Sequence, residues 1–357
     1  MSTPEHLAPR VHGGPQDAEL RALQIDPATL LDFSVNTNPY GPCAAMVDAI
    51  RETRIDRYPD PTGRAARETI ARTMDVSPDE LVLGNGAAEL LWTLARALIR
   101  PGTKVLMVEP TFCEFSAAAA ACGAQLVEWR AAAERGFALE LDAIAARVAA
   151  EQPAVVYLCT PNTPTGAGCS ARDVARWAAA NPQLTLVLDQ SFLSLSDRFA
   201  DAEVAMPANV VRIRSLTKDH AIPGVRVGYL IVAPSLAARV EDQRPAWMTS
   251  AMAQTAAIVA CRERAFVDES RRKILDDRDH LAQAVALLGY VTVPSSACFF
   301  LVHVGDAREL RQRLLVRHRV LVRDCASFGL PEYIRLASRP AADRARLVNA
   351  LAEERAR

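Results

Sequence analysis

The sequence predicts an α/β fold in which helices cover both faces of a mostly parallel sheet and a smaller α+β domain follows. Seven β-rich runs alternate with helical stretches between residues 81 and 233. Several of these runs are continuously apolar, as is typical of strands that are buried on both faces. After about residue 240 the alternation ends, and a long helical region precedes several shorter β-rich runs.

The seven runs predict a seven-stranded sheet in a large domain that spans residues 46–240. In chain order they are LVLG (81–84), KVLMVEP (104–110), AQLVEW (124–129), AVVYLC (154–159), LTLVLD (184–189), VVRIRS (210–215) and GYLIVA (228–233). Ala-rich stretches such as ELLWTLARALI and FCEFSAAAAACG separate them, and alanine has the strongest intrinsic preference for helix.

Two further parts flank the large domain. A helical region over residues 250–288 precedes the runs GYVTV, FFLVHV, VLVRD and YIRLASR and an amphipathic segment LRQRLLVRH. This mixture predicts a small α+β domain over residues 241–357. Residues 1–45 resemble an arm that packs with the small domain.

Composition excludes several classes of partner. The 357 residues suffice for two domains, half are hydrophobic and the formal net charge is −1, so neither nucleic acid nor an acidic membrane is expected as a partner. The chain opens without a signal-like segment and has no apolar run near the roughly 18 residues of a membrane span, so we expect a cytoplasmic protein. Eight cysteines without a CxxC pair and six histidines without an HExxH spacing lead us to expect reduced thiols and no metal.

Lysine is scarce in this sequence. Of 41 basic residues only three are lysines, at positions 104, 218 and 273. Lys104 begins an apparent strand and Lys273 lies in the charged stretch ESRRKILDDRD, so solvated roles suit both. Lys218 instead lies in SLTKDHAIPG, among small and turn-forming residues. A lysine can lose its proton and attack an aldehyde, whereas the pKa of arginine is too high for that role.

Polar residues follow the predicted strands, at the end of the sheet where α/β proteins bind ligands. Residues 85–89, NGAAE, open a helix whose backbone N–H groups could bind an anion, although a plain strand-to-helix turn would look similar. Residues 160–166, TPNTPTG, form a stiff loop that is suited to fixing a polar side chain or is simply a rigid turn.

Two later strand ends add a carboxylate and a group of donors. Asp189 ends LTLVL and is either a turn residue or the partner of a cationic nitrogen. A carboxylate about 4 Å from a cation gains about 4 kcal/mol at a dielectric near 20, enough to keep a pyridine protonated. Ser215, Thr217 and Arg226 offer a set of donors for a phosphate beside Lys218. The combination predicts a cradle, a carboxylate and an amine around one ligand.

Nine segments spread over nearly the whole chain carry a family resemblance. They are VHGG (11–14), LDFSVNTNPYGP (31–42), RYPDP (57–61), GNGAAE (84–89), CTPNTPTG (159–166), LDQSF (188–192), RSLTKDHAIPGVRVGY (214–229), VLVRDC (320–325) and YIRLASR (333–339). With them the sequence resembles the fold type I enzymes of the aminotransferase class I/II superfamily, which use pyridoxal 5'-phosphate (PLP). Within it, the sequence resembles the branch of histidinol-phosphate aminotransferase and threonine-phosphate decarboxylase. HGG, AIPG and the C-terminal arginine motifs favour the decarboxylase.

The resemblance implies an aspartate aminotransferase-like fold and a set of cofactor contacts. Lys218 would form a Schiff base with PLP, Asp189 would pair with the pyridine nitrogen, and Phe112 would stack on the ring. The remaining cofactor-binding residues would be Gly86, Ala87, Asn162, Thr163, Ser215, Thr217 and Arg226. Tyr58 would reach the phosphate of a second subunit, which implies a homodimer with shared active sites.

The resemblance also implies a binding site for a small anionic amino acid. Arg335 matches the residue that binds a substrate anion, usually a carboxylate. His12, Asn36 and Arg323 match positions that receive the substrate phosphate in the decarboxylase. For His12 taken alone, a solvated arm residue is the simpler interpretation.

Three positions depart from the family pattern. Thr163 stands where an asparagine is usual, Phe192 where a tyrosine is common, and Gln190 where a glutamate is common. Threonine can still donate one hydrogen bond but phenylalanine none, so we expect a more basic Schiff base that is still protonated and yellow at neutral pH. Asp219-His220 after the lysine is also unusual; His220 is either a proton carrier near the site or a histidine on a helix surface.

These observations favour PLP-dependent chemistry at Cα, with decarboxylation slightly ahead of transamination. Decarboxylation coupled to amine transfer or to oxygen use is a further alternative. A PLP-binding regulator without catalysis is disfavoured because the chain has no room for a DNA-binding domain and no basic segment to serve one. A nucleotide-binding α/β protein is disfavoured because neither GxGxxG nor GxxxxGK follows a strand.

Overall fold

Strands and helices alternate along the chain in the computed structural model, which describes residues 12–356. The strands are β1 (Leu31–Asp32), β2 (Leu81–Gly84), β3 (Lys104–Glu109), β4 (Gln125–Arg130), β5 (Val155–Cys159), β6 (Thr185–Asp189), β7 (Val210–Ser215), β8 (Gly228–Ile231), β9 (Val291–Thr292), β10 (Phe299–His303), β11 (Val320–Leu321), β12 (Arg323–Cys325) and β13 (Leu330–Ala337). The helices are α1 (Asp17–Ala22), α2 (Ala44–Arg51), α3 (Arg64–Met74), α4 (Gly86–Leu98), α5 (Glu114–Ala121), α6 (Leu141–Glu151), α7 (Ala171–Ala179), α8 (Leu216–Asp219), α9 (Pro234–Glu241), α10 (Ala251–Arg262), α11 (Arg264–Leu287), α12 (Ala307–His318) and α13 (Ala341–Arg355). Val11, the first residue of the VHGG motif, and the start of the arm lie outside the described residues.

The central sheet has seven strands in the order β2-β8-β7-β6-β5-β3-β4. Strand β8 runs antiparallel to both of its neighbours, and the other pairs are parallel. The prediction of a mostly parallel seven-stranded sheet is therefore confirmed. Because β5, β6 and β7 are adjacent and parallel, the segments that follow them meet at one edge of the sheet.

The continuous apolar runs arise because both faces of the sheet are covered. In β5, Tyr157 packs in the cluster formed with α4 and α5, whereas Val156 and Leu158 pack in the cluster formed with α6 and α7. Successive side chains of a strand point to opposite faces, so each strand contributes to both clusters. A fully buried Leu or Val contributes about 1.5–3 kcal/mol relative to exposure.

A second sheet of four antiparallel strands has the order β12-β13-β10-β9. Helices α11, α12 and α13 pack with it. The arm joins this part of the molecule, since β1 pairs with β11 and α1 buries Leu20 against Leu315. The helical region predicted over residues 250–288 is divided into α10 and α11 at Glu263, whose ψ of 36° is not helical.

No helix among residues 12–356 is both long enough and apolar enough to span a lipid bilayer.

Candidate active site

A cavity of about 350 Å³ lies at the carboxyl ends of β5, β6 and β7. The predicted site residues that line it are His12, Asn36, Ala87, Phe112, Thr163, Asp189, Ser215, Thr217, Lys218, Arg226, Arg323 and Arg335. Gly86, Asn162 and Tyr58 do not line it. We call this the cofactor cavity.

Lys218 lies on the one-turn helix α8, directly after β7, and its side chain enters the cofactor cavity. Its Nζ lies 4.8 Å from the centre of the Phe192 ring. Burial lowers the pKa of the Lys218 ammonium, with the charge of Asp189 acting in the opposite direction. A lysine whose pKa is lowered holds more of its amine in the neutral, nucleophilic form. Asn38 fixes this segment, since its backbone N–H donates to the Lys218 carbonyl at 2.9 Å.

Asp189 ends β6 and is almost completely buried, with 2% of its surface exposed. Its Oδ2 accepts a hydrogen bond from the Tyr157 hydroxyl at 2.8 Å, and its Oδ1 accepts one from the Ser191 backbone N–H at 2.9 Å. These two donors hold both oxygens of the carboxylate in place at the end of β6. Burial and the charge of Asp189 raise the pKa of Tyr157 well above its usual value, so the phenol stays protonated as a donor.

Tyr157 was not among the predicted site residues. Its only sequence signal is a hydroxyl-bearing residue within the apolar run VVYLC. Buried tyrosines usually find a hydrogen-bond partner. The hydrogen-bond partner of Tyr157 is set by the register of β5 against β6. Cys159 lies opposite Asp189, so Tyr157 is the diagonal neighbour of Asp189 on the same face of the sheet.

The predicted phosphate-binding cradle consists of a helix N-terminus and an arginine. The N-cap residue of α4, Asn85, makes no capping hydrogen bond with its side chain, which leaves first-turn N–H groups available to an anion. Gly86 has a φ of +81°, and a Cβ there would lie 2.4 Å from Nη2 of Arg226. Only glycine combines that backbone conformation with room for the guanidinium. Ser215 Oγ and Thr217 Oγ1 lie 2.8 Å apart beside it.

The loop after β5 is held by Asn162, whose side chain is saturated by protein partners. Its Nδ2 donates to the Pro110 carbonyl at 2.8 Å and to Thr165 Oγ1 at 2.9 Å. Its Oδ1 accepts from Thr111 Oγ1 at 2.8 Å. Asn162 thus positions the loop from outside the cofactor cavity, and its predicted contact with the cofactor stays a prediction.

Arg335, on β13, is 6% exposed and offers a buried cation at the far side of the cavity. Its Nη1 donates to Thr163 Oγ1 at 2.7 Å and its Nη2 to the Ser34 carbonyl at 2.8 Å. With its amide oxygen turned toward the guanidinium, Asn36 accepts from Nε at 3.3 Å. Burial lowers the pKa of Arg335 to about 10. Within residues 12–356 these partners are all neutral, so the positive charge remains available to an anion.

His12 and Arg323 differ in their surroundings. Arg323 is buried, and its Nη2 donates to Ser327 Oγ at 2.6 Å. The His12 side chain is 48% exposed, and its Nε2 lies 2.9 Å from Oε1 of the buried Glu114. Trp92 donates to the other oxygen of Glu114 at 2.6 Å. A carboxylate therefore faces the histidine that the resemblance assigned to a phosphate.

Glu114 is a second residue that the sequence did not reveal. His12 and Glu114 are 102 residues apart, and their ligating atoms and that of Cys113 lie within 4.8 Å of one another. No spacing rule covers such a group, because only the fold brings the arm beside α5. The hydrogen bond between His12 and Glu114 connects the arm to α5 beside the cofactor cavity.

The residues that depart from the family pattern differ in whether they line the cofactor cavity. Phe192 lines the cofactor cavity, and Gln190 is buried with its Oε1 unpaired among the described residues. Neither interpretation of His220 fits, because it is 3% exposed and does not line the cofactor cavity. Burial lowers the pKa of His220 to about 4, so it is neutral near pH 7.

A buried lysine after β7, a buried carboxylate at the end of β6 and an anion cradle at α4 define a class of protein on this fold. The class is that of the fold type I PLP-dependent enzymes. The donor set fits the cofactor, since the cradle matches a phosphate and Asp189 matches a protonated ring nitrogen.

Comparison with known proteins identifies the family within that class. The model of the family "aminotransferase class I and II" matches residues 28–353, and the chain belongs to this family. Histidinol-phosphate aminotransferase 2 of Ralstonia nicotianae is 33% identical over 93% of this chain and 90% of its own length. Histidinol-phosphate aminotransferase of Methylobacillus flagellatus is 30% identical over 97% and 94%.

Solved structures agree with the fold. Histidinol-phosphate aminotransferase from Sinorhizobium meliloti, solved in complex with pyridoxal-5'-phosphate, superposes with a TM-score of 0.86 at 26% identity, covering 99% of this chain and 98% of that one. L-threonine-O-3-phosphate decarboxylase from Porphyromonas gingivalis superposes with a TM-score of 0.81 at 25% identity, covering 91% and 99%. Aspartate aminotransferase from Thermotoga maritima, with a TM-score of 0.82 at 22% identity over 96% of both chains, confirms the predicted fold.

Proposed function

We propose that this chain is a PLP-dependent aminotransferase of the histidinol-phosphate aminotransferase type, which removes the amino group of a small anionic substrate. The observation that carries the reaction type is similarity to histidinol-phosphate aminotransferases at 30–33% identity over more than nine-tenths of the chain. The sequence motifs slightly favour decarboxylation over transamination, whereas the relatives favour transamination. The cofactor is pyridoxal 5'-phosphate, which supplies an aldehyde and an acceptor for the electrons of the broken Cα bond.

Different residues around the cofactor cavity would perform different roles in such a reaction. Arg335 would bind the substrate anion and thereby fix the orientation of the substrate in the cofactor cavity. Lys218, with its lowered pKa, accepts and returns the proton at Cα. Asp189, whose carboxylate is held by Tyr157 and Ser191, would pair with the ring nitrogen of the cofactor.

The cradle residues perform binding rather than proton transfer. Ser215, Thr217, Arg226 and the N-terminus of α4 would hold the cofactor phosphate, and Phe112 would contact the cofactor ring. Arg323 lies on the opposite wall and binds a second anionic group of the substrate, such as a phosphate.

The experiment that tests this proposal measures both products of one reaction mixture. Holoenzyme is incubated with 2-oxoglutarate and one of histidinol phosphate, O-phosphothreonine, O-phosphoserine, or an unphosphorylated basic or sulfur-containing amino acid. We expect glutamate to form with a phosphorylated substrate, without carbon dioxide, and Lys218→Ala to abolish it. Carbon dioxide without glutamate would instead identify a decarboxylase. Neither product from any substrate would favour the non-catalytic PLP-binding regulator.

Decarboxylation remains the second candidate because of two observations. The threonine-phosphate decarboxylase structure covers 91% of this chain. Phe192 cannot donate a hydrogen bond to the cofactor, which distinguishes this cavity from the usual aminotransferase pattern.

The proposal includes a homodimer with shared active sites. Tyr58 is 76% exposed and stacks on Trp247 with ring centres 4.5 Å apart, and the exposed apolar side chains of Ile55 and Met252 lie in neighbouring parts of the sequence. Exposed apolar groups of this kind favour coverage by another chain.

A mixing experiment tests the sharing of sites. Tyr58→Ala and Lys218→Ala chains are each expected to be inactive alone, because each lacks one component of every site. Mixed in equal amounts and allowed to exchange, they should regain about a quarter of the wild-type sites, since half of the dimers are hybrids with one complete site. No regain of activity, or a monomer by sedimentation, would contradict the role of Tyr58.

A further inference from the structure

A second cavity of about 380 Å³ lies on the opposite face of β7 from the cofactor cavity. Side chains alternate along a strand, so Ser215 faces the cofactor cavity and Arg214 faces the second one. We call it the rear cavity; α3, the junction of α10 with α11, and the segment after β6 form its other walls. Asp219 and His220, the unusual pair after the lysine, both line it.

Three buried polar groups of the rear cavity make no hydrogen bond within residues 12–356. They are Nε and Nη2 of Arg214, Oδ1 of Asp219 and Nδ1 of His220. Their residues are 5%, 5% and 3% exposed. An unsatisfied buried polar group costs about 1–3 kcal/mol, and a charged one more. Three such groups on the wall of one cavity indicate a site built for a polar ligand.

The free atoms define the chemistry of that ligand. Nε and Nη2 lie along one edge of the guanidinium, which is the edge that binds a carboxylate through two parallel hydrogen bonds. His220 is neutral at pH 7 and can donate or accept through Nδ1. Ile70, Met74 and Leu216 add apolar surface between these polar groups.

We propose that the rear cavity is a second ligand site, which binds a small carboxylic acid that carries an apolar body and a hydroxyl or amino group. The carboxylate pairs with Arg214, and the hydroxyl or amino group bonds to Asp219 and His220. The exposed lining residues Asp75, Glu203 and Arg264 carry charges of both signs, so the anion is selected by Arg214 rather than by the rim. This proposal does not rest on the reaction that the cofactor cavity performs.

The test uses holoenzyme and 3-bromo-4-hydroxybenzoate, a carboxylate with an apolar ring, a hydroxyl and a bromine atom. Crystals soaked with this probe should show the anomalous signal of bromine in the rear cavity, with the carboxylate on Nε and Nη2 of Arg214. Calorimetry in solution should show the same binding. Arg214→Leu should weaken it by about tenfold or more, the equivalent of one lost charge-assisted hydrogen bond.

Arg212→Leu is the matched control. Arg212 lies two residues earlier on the same face of β7 but does not line the rear cavity, so its loss should leave the affinity unchanged. If Arg214→Leu does not fold, Ala202→Phe narrows the rear cavity while keeping the arginine, and it should abolish binding.

Three outcomes would overturn the proposal. The first is bromine in the cofactor cavity alone with water on Arg214. The second is equal affinity in wild type and Arg214→Leu. The third is a signal at crystal concentration without heat in solution, which would mark the probe as an adventitious additive only.

Discussion

Replacing Tyr157 with phenylalanine removes one hydroxyl from the buried side of Asp189 and leaves the ring in place. The Tyr157 ring stacks on Phe115 with centres 5.2 Å apart, so the packing of the sheet against α5 is retained. What is lost is the 2.8 Å hydrogen bond to Oδ2 of Asp189. Ser191 then remains as the donor to the other oxygen.

The expected magnitude follows from the charge on the acceptor. A hydrogen bond to a charged group contributes about 1.5–3 kcal/mol. If the contact of Asp189 with the ring nitrogen of the cofactor weakens by this amount, kcat should fall by about ten- to a hundredfold. The affinity for the cofactor should fall in the same direction, because the carboxylate–pyridine contact is part of binding.

Steady-state kinetics and absorbance titration of apoenzyme with cofactor measure the two effects. Tyr229→Phe is the control, since Tyr229 is also buried in the sheet but does not contact Asp189. Tyr229→Phe should keep the wild-type kcat and the wild-type affinity for the cofactor. The reasoning would be refuted if Tyr157→Phe kept kcat and cofactor affinity within about twofold of wild type, since a hydrogen bond of the assumed strength could not be lost at so small a cost.

Three further predictions concern the anion sites and the rear cavity. Arg335→Lys keeps the charge but loses the planar fork, so KM for the amino substrate should rise about tenfold or more with a smaller change in kcat; an unchanged KM would contradict its role. Gly86→Ala should raise the dissociation constant of the cofactor, because its Cβ would lie 2.4 Å from Arg226; Gly102→Ala shares a positive φ, +85°, but has nothing within 4 Å, and should leave that constant unchanged. Burial raises the pKa of Asp219 from 3.8 to about 7, so the folded state holds this proton more tightly than the unfolded state. The free energy of unfolding of wild type minus that of Asp219→Asn should therefore fall by about 3 kcal/mol between pH 4 and pH 7, and urea titrations that show a constant difference would contradict this.

The strands and strand-end residues could be predicted because two simple rules act together. A run such as VVYLC is apolar throughout because both faces of β5 are covered, and parallel neighbours bring their carboxyl ends to one edge. Asp189, Ser215 and Lys218 therefore lie around one cavity, as their positions after β6 and β7 indicated. The prediction that these residues share one cavity required only the order of adjacent strands.

The residues that escaped prediction depend on register and on long-range packing. Tyr157 reaches Asp189 only because Cys159 lies opposite Asp189 and not one residue along. His12 meets Glu114 because the arm crosses the mouth of the cofactor cavity. The sequence predicts His220 either on a helix surface or near the cofactor, and its burial beside the rear cavity shows that both predictions are wrong. None of these relations has a local signature in the sequence.

The segment of the arm from Phe33 to Asn38 bears on how this protein could acquire a new specificity. Phe33 bonds to Leu321 of β11 and to Ala337 of β13, Ser34 accepts from Arg335, and Asn38 donates to the Lys218 carbonyl. One stretch of six residues is thus shared by the sheet that carries the anion site and by the lysine. A mutation that repositions Arg335 through this stretch should also disturb Lys218, so a change of substrate preference by this route is coupled to a change in reactivity.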